Sequence, residues 1–198
     1  MSTFVALLRG INVGGNRKIR MADLRELFTE AGCGDVASYI QSGNVVFTHP
    51  SSDEAALTRE LEQRIERATG FEVPVILRTD EELQDVLDAN PFGDVEHRTL
   101  HVVFLASKPT AKAAKEFDAG RFAPEEYAVV GREVFMHLPG GIGKAKLPPA
   151  LPLIRGSGTA RNWRTVQTLA EMTHAVAAQA SADLRAAPSA RPSGGGRA

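Results

Sequence analysis

Arg9, Arg17, Lys18 and Arg20 lie in a stretch, Met1 to Ala22, that contains no Asp or Glu. Lys144, Lys146, Arg155, Arg161 and Arg164 lie in a second such stretch, Val134 to Ala170. Guanidinium and ammonium groups gathered away from carboxylates suit one kind of chemistry, the holding of a phosphate, a carboxylate or a nucleic-acid backbone. The two stretches together carry +9, and the remaining 14 basic and 24 acidic residues carry −10. A net charge of −1 argues against a protein whose whole surface binds polyanions and leaves room for a local basic site.

Both stretches run into helix starts. Arg17, Lys18 and Arg20 precede a helix expected from Met21, and Arg161 and Arg164 flank a helix expected from Asn162. A helix N-terminus is already partly positive, so each cation there costs a few tenths to about 1 kcal/mol unless an anion is held. Glycines stand beside these positions: Gly10, Gly14 and Gly15, then Gly140, Gly141 and Gly143, then Gly156 and Gly158. They would let backbone amides approach an oxyanion. Gly10 and Gly15 have the spacing of a phosphate-cradling P-loop, but Asn16 and Arg17 stand where Lys and Ser or Thr are needed, and no strand is followed by GxGxxG. The candidate ligand-binding set is Arg9, Asn12, Gly14, Gly15, Lys18, Arg20, Asn44, Lys144, Lys146, Arg161, Asn162 and Arg164, expected to converge on a basic cleft between two lobes.

Other chemistry is thinly supported. His97 and His101 flank the start of a strand with only Glu96 adjacent and no Cys nearby, so no metal site is expected, and no cofactor is implied. Cys33, between Gly32 and Gly34, has no neighbouring His and reads as a turn cysteine. Ser157 sits in Gly-Ser-Gly without a full nucleophile-elbow motif. Glu81-Glu82 reads as a helix first turn, and Glu125-Glu126 as a solvated loop.

The elements that must position these groups follow from periodicity. Phe4 to Arg9 is an apolar strand. Met21, Leu24, Leu27, Phe28 and Ala31 mark one face of a helix that Gly32 ends. Val36 to Gln41 and Asn44 to Thr48 form a hairpin across Ser42-Gly43. Ser51 with Glu54 suggests a capping box for a helix bearing Leu57, Leu61, Ile65 and Ala68, and Val73 to Arg78 is a fourth strand. The order βαββαβ is that of a ferredoxin-like, split-βαβ lobe over residues 1–79. A second α+β lobe, residues 80–185, opens with a connecting helix capped by Thr79 and Glu82. Thr99 to Ala106 is its first strand, Pro109 opens a helix ending near Ala119, and Tyr127 to Val130 pairs with Glu133 to Leu138 across Gly131-Arg132. A long helix from Asn162 to about Ala180 carries Trp163, Val166 and Leu169. This second lobe reads as an incomplete βαββα copy. The fold class is therefore α+β, two ferredoxin-like lobes with a C-terminal helix.

At 198 residues and 43% hydrophobic composition, the chain can bury one sizeable core or two small ones. One cysteine permits no intrachain disulfide, and no apolar segment is long enough to span a membrane, so a cytoplasmic protein is expected. The tail 186–198, rich in Ala, Pro, Ser and Gly, is expected to be disordered.

Three strings carry a family resemblance: Leu7-Leu8-Arg9-Gly10-Ile11-Asn12-Val13-Gly14-Gly15, Gln41-Ser42-Gly43-Asn44-Val45-Val46-Phe47 and Thr159-Ala160-Arg161-Asn162-Trp163-Arg164-Thr165. They resemble the hallmark motifs of a bacterial domain-of-unknown-function family of small α+β proteins, over about Thr3 to Thr173. The resemblance implies a ferredoxin-like first lobe, a related second lobe and motif residues that come together; it implies no activity. Members often have a serine where this chain has Ala145. The residues themselves leave two classes open. One is a module binding a phosphate-bearing ligand, nucleotide or nucleic acid, with Trp163 available for stacking unless its apolar stripe buries it. The other is an enzyme on a small phosphorylated or carboxylated metabolite, with Arg9, Arg161 and Arg164 as a clamp and Asn12, Asn44 or Asn162 orienting the reacting group. The acid-free stretches offer no evident general base for it.

Overall fold

The computed structural model describes residues 1–15, 17–51, 53–93, 95–110, 112–113, 120–154 and 158–186. The P-loop near miss at Asn16, Arg155, Ser157, most of the helix expected from Pro109 and the tail beyond Ala186 fall outside the described residues.

The first sheet has the order β2-β3-β1-β4, all antiparallel, from β1 (Ser2–Leu8), β2 (Gly34–Tyr39), β3 (Asn44–His49) and β4 (Val75–Thr79). Helices α1 (Met21–Glu30) and α2 (Glu54–Thr69) cover one face, where Leu24, Phe28, Leu57, Leu61 and Ile65 pack on Phe4, Ala6, Leu8, Val45 and Phe47. The cap of α2 is Asp53, whose carboxylate accepts from the Ala56 amide; Ser51 instead accepts from the Asp53 amide. Helix α3 (Asp80–Asp88) follows β4 directly and has the expected Thr79–Glu82 capping box.

The second sheet repeats this topology. Its order is β6-β7-β5-β8, from β5 (Leu100–Leu105), β6 (Glu126–Val130), β7 (Glu133–His137) and β8 (Gly158–Asn162). The two sheets thus bear out two ferredoxin-like lobes. Strand β8 occupies residues to which the sequence reading assigns no strand, and the long helix begins one residue later than expected, as α5 (Trp163–Ala186). Where the first lobe has the 16-residue α2 between its third and fourth sequential strands, the described residues between β7 and β8 form the four-residue α4 (Leu147–Ala150) and a 3-10 turn at Pro152–Ile154.

The registers make the repeat explicit. Leu8 pairs with Val75 and Val5 with Arg78; Leu105 pairs with Gly158 and Val102 with Arg161. Leu7 pairs with Asn44, and Phe104 with Glu133. Arg78 and Arg161 therefore hold the same place in their sheets, as do Asn44 and Glu133, and Phe4 and His101.

The inner faces of both sheets meet in one core with α3 and α5. Val5, Leu7, Val46 and Ile76 of the first sheet, Val102, Phe104 and Phe135 of the second, Leu83 and Val86 of α3, and Trp163, Val166, Leu169 and Ala170 of α5 all belong to it. Such contiguous apolar burial is the dominant favourable term in holding two units together. The outer face of the second sheet is closed by Leu138, Leu147 and Leu151 on Val103, Leu105, Val134 and Met136.

Candidate functional site

Arg161, expected to clamp a ligand, is 7% exposed and turned inward. It sits on β8 of the second sheet, yet most of its partners belong to the first. Its Nε donates to Asn44 Oδ1, and its Nη2 donates to the carbonyls of Leu8, Ser42 and Gly43 at 2.9, 3.1 and 3.2 Å. Its Nη1 donates to Thr159 Oγ1 at 2.7 Å and to the Ala160 carbonyl at 2.8 Å. Every nitrogen of the fork is committed to an oxygen of the chain, so Arg161 does not present itself to a ligand here. These oxygens are neutral, and burial pulls the Arg161 pKa down to about 10. Asn44, fully buried, completes the unit by donating from Nδ2 to the Tyr39 carbonyl at 3.1 Å and to Ser42 Oγ at 2.9 Å.

Arg78 answers from the other side. It is 1% exposed on β4, donates from Nη2 to the Leu105 carbonyl at 2.8 Å, and pairs through Nε with Glu133 at 2.8 Å. Burial lowers its pKa, and the Glu133 carboxylate works against that. Arg132, in the β6–β7 hairpin, pairs with Glu54 of α2 at 3.0 Å and with Glu82 of α3. Each sheet's edge arginine thus reaches the end of the other sheet's first strand, the reciprocity of an isologous contact within one chain.

This arrangement, with the shared core behind it, occupies the space in which an open basic cleft between the lobes was expected. Helices α1 and α5 pack on opposite faces of the first sheet. The two acid-free segments meet in the shared core, where Val5 and Leu7 lie with Phe135, Trp163 and Val166, and at the Leu8 carbonyl, which accepts from Arg161 Nη2 at 2.9 Å and from Thr159 Oγ1 at 3.4 Å.

The remaining predicted residues separate into groups. Asn12, at φ 56°, closes the loop after β1: its Nδ2 donates to the carbonyls of Ile19 and Gln41, and its Oδ1 accepts from the Ile19 amide, each at 2.9 Å. Gly14 and Gly15 are exposed at φ 60° and 79°, with open space beside both. Lys18 is exposed on the same loop, and Arg9 at its root is half-buried. Arg20 caps nothing and instead pairs bidentately with Asp23, at 2.7 and 2.8 Å, one residue past the acid-free stretch. Asn12, Gly15, Lys18, Ile19, Arg20 and Gln41 line a pocket of about 410 Å³. The hairpin that supplies Gln41 turns at Gly43, φ 76°, where a Cβ would stand 2.8 Å from Leu8 Cβ and 2.9 Å from Ile11 Cδ1. Only glycine fits that turn.

Lys144, Lys146, Asn162 and Arg164 do not line this pocket. Asn162 Oδ1 accepts from the Thr165 amide at 2.8 Å and so caps α5. Lys144, Lys146 and Arg164 are exposed. The anion at the start of α4 comes from the chain itself: Glu125, read from the sequence as solvated, accepts from the amides of Lys146 at 3.1 Å and Leu147 at 2.7 Å. Trp163 is buried against Phe135 and not available for stacking on a base. Cys33 is buried and its thiol is pushed up to about 12, mainly by desolvation. Among the described residues no group of three or more His, Cys, Asp and Glu could hold a metal ion, and no helix is long and apolar enough to cross a membrane.

A family described as a protein of unknown function, DUF1697, matches residues 1–135, which include the loop after β1 and the β2–β3 hairpin. The chain belongs to the DUF1697 family. A solved structure entitled "conserved bacterial protein SP0830 from Streptococcus pneumoniae" is similar over 88% of this chain and 99% of its own, with 25% identity and a TM-score of 0.70. No curated protein matches. The part matched to DUF1697 ends at Phe135, before β8, so Arg161 lies outside it.

Sequence reasoning on this DUF1697 member missed Arg78 and Glu133, the counterparts of Arg161 and Asn44. One signal was available. Arg78-Thr79 and Arg161-Asn162 are both an arginine followed by a helix-capping residue at the end of a strand.

Proposed function

We propose that the protein binds a small phosphate-bearing ligand, of nucleotide or nucleic-acid type, on the face of the first lobe formed by the loop from Arg9 to Arg20 and the β2–β3 hairpin, rather than between the lobes. One observation carries this reading. Helix α1 starts at Arg20 with no side-chain cap, beside the pocket lined by Lys18, Arg20 and Gly15. The other described helices start on an oxygen of the chain: Asp53 for α2, Thr79 for α3, Glu125 for α4 and Asn162 for α5. An uncapped helix start flanked by cations and open glycines favours an anion from outside. The six pocket residues named are cations, amides, a glycine and an isoleucine, with no carboxylate or imidazole to move a proton at neutral pH, which favours binding over acid–base chemistry.

Calorimetric titration with pyrophosphate and with single-stranded RNA, repeated across salt concentrations, tests the proposal. Binding that weakens with salt and is abolished by Lys18→Glu is expected. Absence of binding to either probe, or binding indifferent to Lys18→Glu, overturns it.

A further inference from the structure

The loop and the hairpin that form the pocket wall share one anchor, and it belongs to the other lobe. The loop departs from Leu8, and the hairpin turns through Ser42 and Gly43, the two residues after Gln41. The carbonyls of all three accept from a single nitrogen, Arg161 Nη2. Within the first lobe, the Leu8 amide donates to the Gly43 carbonyl at 2.8 Å, and Asn12 reaches the Gln41 carbonyl. Arg161 closes this set from behind. Its Nε fixes Asn44, whose own amide donates to the Tyr39 carbonyl at the end of β2 and to Ser42 Oγ within the turn.

We infer that Arg161 is a positioning residue for the pocket, setting the distance between the glycine loop and the Gln41 hairpin without touching the ligand. The inference rests on the reading of the pocket as a phosphate site. A planar fork serving three carbonyls and an amide fixes direction as well as position, which lysine's single ammonium cannot reproduce. The second lobe thereby becomes part of the binding site of the first, although it contributes no atom to the pocket wall.

The fold supplies a matched control. Glu133 stands where Asn44 stands, and holds Arg78 at the equivalent end of the second sheet. The experiment compares Arg161→Lys and Glu133→Gln in the full chain, reading pyrophosphate affinity, melting temperature and backbone amide exchange. Arg161→Lys should weaken pyrophosphate about tenfold, a loss of about 1.4 kcal/mol, and speed exchange from Gly10 to Lys18 and at Gln41 to Gly43. Glu133→Gln should lower the melting temperature, speed exchange around Gly131 and Arg132, and leave pyrophosphate affinity within about twofold. Thr159→Val, which removes one acceptor of Arg161 and leaves the fork, should shift affinity in the same direction by less, and serves if the lysine variant does not fold. Unchanged affinity and unchanged loop exchange in folded Arg161→Lys and in Thr159→Val overturn the inference, as does an equal loss of affinity in Glu133→Gln. If the wild-type protein binds no pyrophosphate, the proposed site falls, and the exchange pattern alone then decides whether Arg161 orders the loop and hairpin together.

Discussion

At the end of the second sheet, Arg78 and Arg132 meet Glu133, Glu82 and Glu54; at the end of the first, Arg161 meets Asn44 and the oxygens of Leu8, Ser42 and Gly43. The backbone places these groups equivalently, so the difference is one of charge. The second corner carries its own anions and is electrostatically closed. The first corner offers its buried guanidinium only neutral oxygens, and Arg17 and Lys18 stand exposed on the loop beside it. A buried charge without a counterion is costly unless its donors are all satisfied, and here the fork is fully engaged. Around that loop Arg20 pairs with Asp23, and Lys18 shares a neighbouring pocket with Asp23, Glu26 and Glu30. The comparison teaches that equivalent positions of one fold can hold a buried arginine either with carboxylates or with neutral oxygens alone.

The largest expected effect that would break this contrast is at the closed corner. Glu133→Ala removes the carboxylate that pairs with buried Arg78, leaving the more distant Glu82, and should destabilise the protein by about 3–5 kcal/mol, measured by urea unfolding. A cost below about 1 kcal/mol would mean that the pair is not the anchor described here. At the open corner, Asn44→Ala removes the acceptor of Arg161 Nε without stranding a second charge. It should cost about 1–3 kcal/mol, and a loss as large as that of Glu133→Ala would erase the distinction between the corners.

A third prediction concerns pH. His101 holds the place of Phe4, is buried, and has an Nδ1 without a hydrogen-bond partner. Desolvation lowers its pKa, partly offset by a backbone hydrogen bond with Thr99. The unfolded chain then binds a proton that the folded one refuses, so stability contributed by this site falls as pH drops below about 6.5. His101→Phe, which copies the first lobe, should flatten the pH dependence of the melting temperature between neutral and mildly acidic pH; an unchanged profile would refute the assignment. The smallest effect is at the surface. Arg20→Ala should leave the melting temperature unaltered, because the Arg20–Asp23 pair is exposed and solvent-screened, while pyrophosphate binding weakens; calorimetry on the variant separates the two.

The first lobe was legible because β1, β3 and β4 contain short continuous apolar runs, buried on both faces, and its helices carry one apolar face at the helical period. Leu57, Leu61 and Ile65 mark a helix face, and Asn44 to His49 follows a tight Ser-Gly turn. Strand β8 was not legible for a physical reason. Its two buried side chains are Thr159 and Arg161, so the inward positions that ordinarily show as Val or Ile are polar, and the period-two signal is missing. The same fact hid the role of Arg161, since a buried arginine satisfied by carbonyl oxygens looks in sequence like any surface cation. The start of α1 at Met21 was legible from the apolar spacing of Met21, Leu24, Leu27 and Phe28. Convergence of the second acid-free segment on that helix start was not found, because Glu125 and Asn162 already supply the acceptors its helix starts require.

The reciprocal arginines bear on how such a chain can be divided. A half-chain ending in the helix after its edge strand would carry both an outward-reaching arginine and the acceptors for one, and its inner face would be a bare apolar sheet. Two copies of the first half would not reproduce both corners, because Arg78 would meet a second Asn44 where it now meets Glu133. Joining the halves into one polypeptide releases the two ends from identity: one braces its arginine with glutamates, while the other holds its own on neutral oxygens drawn from both halves.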